Sequence, residues 1–153
     1  MYFIAVVLLL FVFPVASILA VAFTASGAVD PMLLVGRWFV FWAVGVRLFL
    51  GGIRQVLRPQ LTAEDIFGLH EPAALPIVRE VGFGNLSMGT LGLLTLAVSG
   101  FIVPAAIVGG LYYGLAGLGH VVRGGKNFAG YTALVSDLLI FAVLAVFVCS
   151  RGP

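Results

Sequence analysis

The chain has 153 residues, of which 62% are hydrophobic and 9% charged, and its mean hydropathy is +1.21. Ordinary soluble domains carry about 25% charged residues, so this composition excludes a water-soluble fold and indicates a membrane protein. The net charge of +2 includes no basic run interleaved with aromatic residues, which argues against nucleic-acid binding. Because one span takes about 20 apolar residues, residues 1–153 are predicted to form a single transmembrane domain of several spans.

The first apolar stretch, residues 2–24, is long enough to cross a membrane and is predicted to be the first span. A start signal for the next helix follows, since Asp30 can cap a helix and Pro31 is tolerated at its first position. The second span is therefore predicted over about residues 32–57.

A short helix is predicted over about residues 62–68, lying along the membrane interface. Thr62 is expected to cap it, acidic residues occupy its first turn, and Gly68 is expected to end it. These signals distinguish the segment from the apolar stretches on either side of it.

Three further spans are predicted over about residues 75–98, 104–122 and 131–148, separated by a Ser-Gly turn and by a polar loop at residues 123–127. The expected fold is thus an all-α, polytopic transmembrane helix bundle with five spans and a short interfacial helix. Four spans is the alternative count.

Basic residues are distributed unequally between the two sides of this arrangement. One side collects Arg54, Arg58, Arg79, Arg123 and Lys126, whereas the other has Arg151, with Arg37 near its edge. Loops rich in Lys and Arg stay in the cytoplasm, so the N-terminus is predicted inside and the C-terminus outside.

Small residues recur every fourth position in the fourth predicted span, at Ala106, Gly110 and Gly114, and Gly117 extends the same face. Such faces let membrane helices approach closely. Packing within the bundle is the expected use of this face, and a homodimer contact is the alternative.

Two ionisable residues, Arg47 and Asp137, lie inside predicted spans, where a charge is costly unless it is paired or functional. Both are about 9 Å from the same interface at a rise of 1.5 Å per residue. We therefore predict an Arg47–Asp137 ion pair with bidentate geometry, which best offsets desolvation. The alternatives are a purely structural pair and an Arg47 side chain that extends to the interface.

Other polar side chains lie in the same leaflet as this pair. We predict a polar pocket open to the cytoplasm, with five candidate ligand-binding residues: Arg47, Glu80, Asn85, His120 and Asp137. Each of three residues also has an ordinary structural role as the alternative. Glu80 could be an interfacial charge, Asn85 could form a hydrogen bond between helices, and a protonated His120 could interact with the dipole at the end of its helix.

The sequence identifies neither a cofactor nor a metal site. His70, Glu71 and the distant His120 make a poor set of metal ligands, and there is no cysteine pair or HExxH motif. No nucleophile elbow, P-loop or dinucleotide-binding glycine pattern is present. An enzyme acting on a lipid through Glu80 or His120 is therefore the least favoured function.

Two segments of the chain resemble a known family. The first is Arg79-Glu80-Val81-Gly82-Phe83-Gly84-Asn85-Leu86, followed by Gly89 and Gly92, and the second runs from Gly110 to His120. They resemble an uncharacterised family of small bacterial multipass membrane proteins, from the second span to the end of the chain. That family is remotely similar to the DoxX-like proteins, helical bundles with quinone-linked or redox accessory roles. The resemblance implies a bacterial inner-membrane location and transfers no catalytic residue.

Three functions follow as hypotheses. The first is a binding or accessory protein for a lipophilic ligand, a quinone or a membrane lipid, whose head group meets Arg47, Asn85 and His120. The second is a proton-coupled transporter or channel component that uses Glu80, His120 and Asp137. The third is a structural subunit of a homo-oligomer or a larger membrane complex.

Overall fold

The computed structural model describes residues 2–151, which form helices and turns but no strand. The expectation of an all-α fold is confirmed. The six helices of this range are α1 Tyr2–Thr24, α2 Pro31–Leu57, α3 Pro59–Thr62, α4 Leu75–Leu94, α5 Ile102–Val122 and α6 Phe128–Cys149. Short 3-10 turns at Pro72–Ala74 and Ser99–Phe101 precede α4 and α5.

Four of these helices are long and apolar enough to cross a membrane, as expected of a multipass membrane protein: α1, α2, α5 together with the turn before it, and α6. The remaining long helix, α4, has 20 residues. It is less apolar because Arg79, Glu80 and Asn85 lie within it.

α1 and α2 each contain a stretch of wider π-helix, at Leu8–Val12 and Val40–Arg47. The two π stretches contact one another. The indole Nε1 of Trp42 donates a hydrogen bond to the Ser17 hydroxyl at 3.0 Å, which further joins the two helices.

α2 and α4 pack antiparallel at very short range through glycines. A Cβ atom added at Gly92 would lie 2.4 Å from the backbone nitrogen of Gly45, and one added at Gly52 would lie 2.8 Å from the carbonyl oxygen of Gly82. Real Cβ atoms do not approach so closely, so only glycine permits this contact. Small residues thus bring the two backbones together.

α5 and α6 also pack antiparallel, and three glycines of α5 face side chains of α6. The pairs are Gly110 with Leu144, Gly114 with Phe141, and Gly117 with Leu138. The small-residue face of α5 therefore serves packing within the bundle, as expected.

The bundle has two unlike ends. We call one the cavity end; it comprises the starts of α1, α4 and α6, the ends of α2 and α5, and α3. At the other, which we call the far end, Arg151 donates to Asp30 at 2.7 Å, so the last described residue lies at the start of α2. Between them is a buried apolar core that includes Leu10, Val44, Leu144 and Phe147.

The short helix after α2 differs from the prediction. It begins at Pro59 and continues as a π turn at Ala63–Phe67, and we call residues 59–67 the strap. Thr62 makes no capping hydrogen bond, so the predicted cap is wrong: Pro59 starts the helix, and Thr62 lies buried inside it. Gly68 ends the segment as predicted, with a left-handed φ of 64°.

Candidate ligand-binding cavity

A cavity of about 290 Å³ lies at the cavity end, lined by α1, α2, α4, α5, α6 and the strap. Four of the five predicted site residues line it: Arg47, Asn85, His120 and Asp137. Most of the remaining lining is apolar or aromatic, including Leu50, Phe67, Tyr112 and Tyr113. The structure therefore brings polar groups from four helices together inside a mainly apolar chamber.

Glu80 is the predicted site residue that lies outside this cavity. It is exposed on the surface of α4, whose buried face carries Val78, Gly82 and Asn85. Five residues along an α-helix correspond to a rotation of about 140°, so Glu80 and Asn85 point in different directions. The structure places Glu80 on the surface of the bundle, away from the cavity.

Arg47 and Asp137 form the predicted ion pair, with 3.0 Å between Arg47 Nη2 and Asp137 Oδ1. Their side chains are 14% and 8% exposed. The predicted bidentate geometry is wrong, because Arg47 Nη2 makes this contact and also donates to the Ser136 hydroxyl at 3.1 Å. Arg47 Nη1 is buried without a hydrogen-bond partner among the described residues.

His120 lies on the other side of the Asp137 carboxylate. Its Nε2 is 3.9 Å from Asp137 Oδ2, which is too long for a hydrogen bond. The imidazole is nearly parallel to the Phe67 ring, with 6.1 Å between centroids and 12° between planes. His120 thus lies between the buried ion pair and the strap.

Tyr113 packs its ring against the guanidinium of Arg47. The Arg47 guanidinium carbon lies 5.1 Å from the centre of the Tyr113 ring, within the range of a cation–π interaction. The Tyr113 hydroxyl donates to the carbonyl oxygen of Ala43 at 2.5 Å. Ala43 belongs to the π stretch of α2, where the regular ladder of backbone hydrogen bonds is interrupted. The same stretch ends at Arg47, so Tyr113 fixes both the backbone and the guanidinium.

Asn85 joins α4 to α2. It is 3% exposed, and its Nδ2 donates to Gln55 Oε1 at 2.7 Å. Both residues also line the cavity. The structural role that the sequence offered for Asn85 is therefore present, and it does not remove the residue from the site.

The strap forms the wall of the cavity at the cavity end of the bundle. Three polar contacts hold it: Arg54 Nη2 with Asp65 Oδ2 at 2.8 Å, Arg123 Nη2 with the Ile66 carbonyl at 2.5 Å, and Asn127 Nδ2 with the Asp65 carbonyl at 2.8 Å. These partners come from α2, from the residue after α5 and from the residue before α6. The strap is thus tied to three helices at once.

Several apolar residues of the lining are also exposed, among them Leu50 at 52% and Val81 at 40%. Leu50 lies about 10 Å along the helix axis from the end of α2 at Leu57, and Val81 lies about 9 Å from the start of α4 at Leu75. The cavity therefore has an apolar rim well inside the helical layer.

Sequence reasoning missed several lining residues, including Tyr2, Phe67 and Tyr112. The adjacent pair Tyr112-Tyr113 in a glycine-rich helix was an available signal. Tyr2 and Phe67 come from α1 and the strap, and no local pattern indicates that these segments meet. Within residues 2–151, no three His, Cys, Asp or Glu side chains are grouped so that they could hold a metal ion.

Comparison with known proteins places the chain in a family. The family of unknown function DUF6790 matches residues 2–151. No curated protein and no solved structure matches the chain. Because the match covers nearly the whole sequence, the chain belongs to DUF6790, a family of unknown function.

Proposed function

We propose that the protein binds a lipophilic ligand, a quinone or another lipid, in the cavity at the cavity end, as a binding or accessory protein. The observation that carries this proposal is a chamber with apolar and aromatic walls and a few convergent polar groups, Arg47, Asn85, His120 and Asp137. Ligand sites in proteins have this composition.

The size of the cavity suits a ligand head group. Its 290 Å³ is about twice the ~150 Å³ of an engineered apolar cavity that holds one benzene molecule. A compact head group of roughly a dozen non-hydrogen atoms would fill it, and an acyl or isoprenoid tail would remain outside.

The rim supports access from the lipid. Leu50 and Val81 line the cavity and are exposed and apolar, so a tail leaving the cavity past either residue would contact hydrocarbon. A water-soluble ligand would gain nothing from this rim. The ligand is therefore taken to be dissolved in the membrane.

A fifth span is part of the proposal, with α4 as the additional helix. α2 ends at the cavity end and α5 begins toward the far end, so α4 connects the two ends of the bundle while packed against α2. Exposed apolar residues on α4, such as Ile77 and Phe83, suit contact with lipid. The basic residues of the cavity end then favour a cytoplasmic N-terminus and an external C-terminus, in a bacterial inner membrane.

Transport is supported less well. The ionisable residues of the cavity stop at the middle of the bundle, where Leu10, Val44 and Leu144 are fully buried. A proton path across the bundle would have to pass this apolar core. Binding requires no such path, and the DoxX-like resemblance with its quinone-linked roles agrees with binding.

Filling the cavity tests the proposed function. A Cβ atom at Gly51 would meet nothing within 4 Å, and Gly51 lines the cavity, so Gly51→Leu should occupy it without a backbone clash. Gly84→Leu is the matched control, because Gly84 also has open space but does not line the cavity. Native mass spectrometry and lipid extraction of protein in mild detergent should find a bound lipophile in wild type and Gly84→Leu, and none in Gly51→Leu. A wild-type protein that carries and binds no lipophile would exclude the proposal.

Reporter fusions test the five-span topology separately. Fusions after Arg58, before α4, and after Gly100, before α5, should report opposite sides of the membrane. The same side for both would show that α4 does not cross.

A further inference from the structure

We infer that the cavity selects an uncharged head group with a hydrogen-bond-accepting oxygen, and that it rejects an anionic head group such as a phosphate. The inference rests on the proposed function, because it specifies the ligand class of the same cavity. Two arginines, Arg47 and Arg54, line the cavity, and their charges alone would favour an anionic head group. The structure changes this expectation by showing what each arginine contacts.

Both lining arginines are already paired with carboxylates. Arg47 contacts Asp137 at 3.0 Å, and Arg54 contacts Asp65 at 2.8 Å. His120 adds no fixed positive charge, and its Nε2 faces the free oxygen of Asp137 at 3.9 Å. Both positive charges of the lining are therefore offset by a carboxylate, Arg47 by Asp137 within the cavity and Arg54 by Asp65 on the strap.

A phosphate in this cavity would lack a counterion. Placed against Arg47, it would also lie near the Asp137 carboxylate, and charge repulsion is strong where water is excluded. Burying an uncompensated charge costs far more than burying a neutral polar group that is hydrogen-bonded. The pairing thus discriminates by charge and not by shape.

A neutral acceptor oxygen, by contrast, could pair with donors of the lining arginines that have no partner. Arg47 Nη1 and Arg54 Nε are buried and have no hydrogen-bond partner among residues 2–151. Guanidinium groups are donors only, and a buried donor left unpaired is unfavourable. A carbonyl oxygen of the ligand could accept from either group after a small side-chain adjustment and would add no charge.

Two classes of membrane lipid carry such an oxygen on an uncharged head group. One is a neutral glycerolipid, through its ester carbonyls, and the other is a quinone, through its ring carbonyls. The aromatic walls at Phe67, Tyr112 and Tyr113 accept a flat ring, and the volume accepts either head group. The shared chemistry is the prediction, and the experiment separates the two sources.

The test uses two lipids with identical tails. Dioleoylglycerol and dioleoylphosphatidic acid differ only by the phosphate, and their dissociation constants can be compared by native mass spectrometry of the full-length protein. We expect dioleoylglycerol to bind at least about tenfold more tightly, which corresponds to about 1.4 kcal/mol. Equal binding, or tighter binding of the phosphatidic acid, would overturn the inference. A decyl-substituted benzoquinone, measured alongside, shows which neutral source binds more tightly.

Removing one carboxylate should weaken or abolish the preference. Asp137→Asn keeps the size of the side chain but leaves Arg47 without its counterion, so binding of the phosphatidic acid should strengthen relative to dioleoylglycerol by about tenfold or more. Asp30→Asn is the matched control, because it frees Arg151 at the far end and should leave the ratio unchanged.

A second variant covers the case in which Asp137→Asn does not fold. Asp65→Asn frees Arg54 in a more exposed pair, and it should shift the ratio in the same direction by a smaller factor. An unchanged ratio in every folded variant of the two would overturn the charge argument. Failure of the proposed function gives a different result from failure of this inference. If the cavity is not the binding site, Gly51→Leu would bind dioleoylglycerol, dioleoylphosphatidic acid and the benzoquinone as wild type does.

Discussion

The two ends of the bundle solve the same packing problem in different ways. From its middle toward the far end, the bundle is filled by apolar side chains such as Val40, Leu144 and Phe147, all fully buried, and Gly45 touches Gly92 backbone to backbone. At the cavity end, charged and aromatic side chains surround an unfilled space. Close packing at one end holds the helices in register, and the other end is thereby free to keep a cavity.

The largest expected effect comes from removing the buried ion pair at the cavity end. Arg47→Ala leaves the Asp137 carboxylate buried without its partner, which should reduce the free energy of unfolding by about 3–5 kcal/mol. Denaturant unfolding in mild detergent measures this loss. The exchange Arg47→Asp with Asp137→Arg should recover part of it, and an Arg47→Ala variant as stable as wild type would show that the pair is dispensable.

The next largest effect comes from disrupting the glycine contact between α2 and α4. Gly92→Ala adds a Cβ atom 2.4 Å from the backbone nitrogen of Gly45, so α2 and α4 must separate, at an expected cost of about 1–3 kcal/mol. Gly84→Ala on the same helix meets nothing within 4 Å and should be neutral or slightly stabilising. Thermal unfolding of the two variants side by side gives the comparison, and equal midpoints would contradict it.

A smaller effect concerns the junction between the two regions. Tyr113→Phe removes the hydrogen bond to the Ala43 carbonyl but keeps the ring beside Arg47, so it should cost about 1 kcal/mol. Unfolding measurements should show this modest loss, with head-group selectivity retained. A loss as large as that of Arg47→Ala would mean that the hydroxyl positions the whole site.

The smallest effect lies at the far end. The Arg151 guanidinium holds the pKa of Asp30 below its usual value, and backbone donors of Leu33 and Met32 lower it further. Because the folded-state pKa is lowered, this contribution is complete above about pH 4 and is lost as the pH falls through the lowered pKa.

Asp30→Asn isolates that contribution, because asparagine also caps a helix. The variant should differ from wild type only slightly at neutral pH, since the pair is exposed, and the difference should shrink further in acid. A difference that grew as the pH fell would contradict the assignment.

The sequence allowed much of the fold to be predicted because apolar length and turn residues mark membrane helices directly. The ion pair could be predicted because Arg47 and Asp137 are isolated charges at matched depth. Glu80 lies outside the cavity, and the sequence could not predict this because depth alone does not specify which side of a helix a residue faces. The bidentate geometry failed because Ser136, adjacent to Asp137, shares the same guanidinium nitrogen. The lining residues Tyr2 and Phe67 could not be predicted, since their contacts depend on how distant segments meet.

The π stretch at Val40–Arg47 has a consequence for the angular phase of α2. Each residue of a regular α-helix advances by about 100°, and a π stretch inserts residues without completing an ordinary turn. The two halves of α2 are therefore rotated relative to one another, which lets Gly36 face Phe147 of α6 while Gly52 faces α4. The π stretch, together with the residue spacing, therefore sets the angle between the face of α2 that meets Phe147 and the face that presents Gly52 to α4.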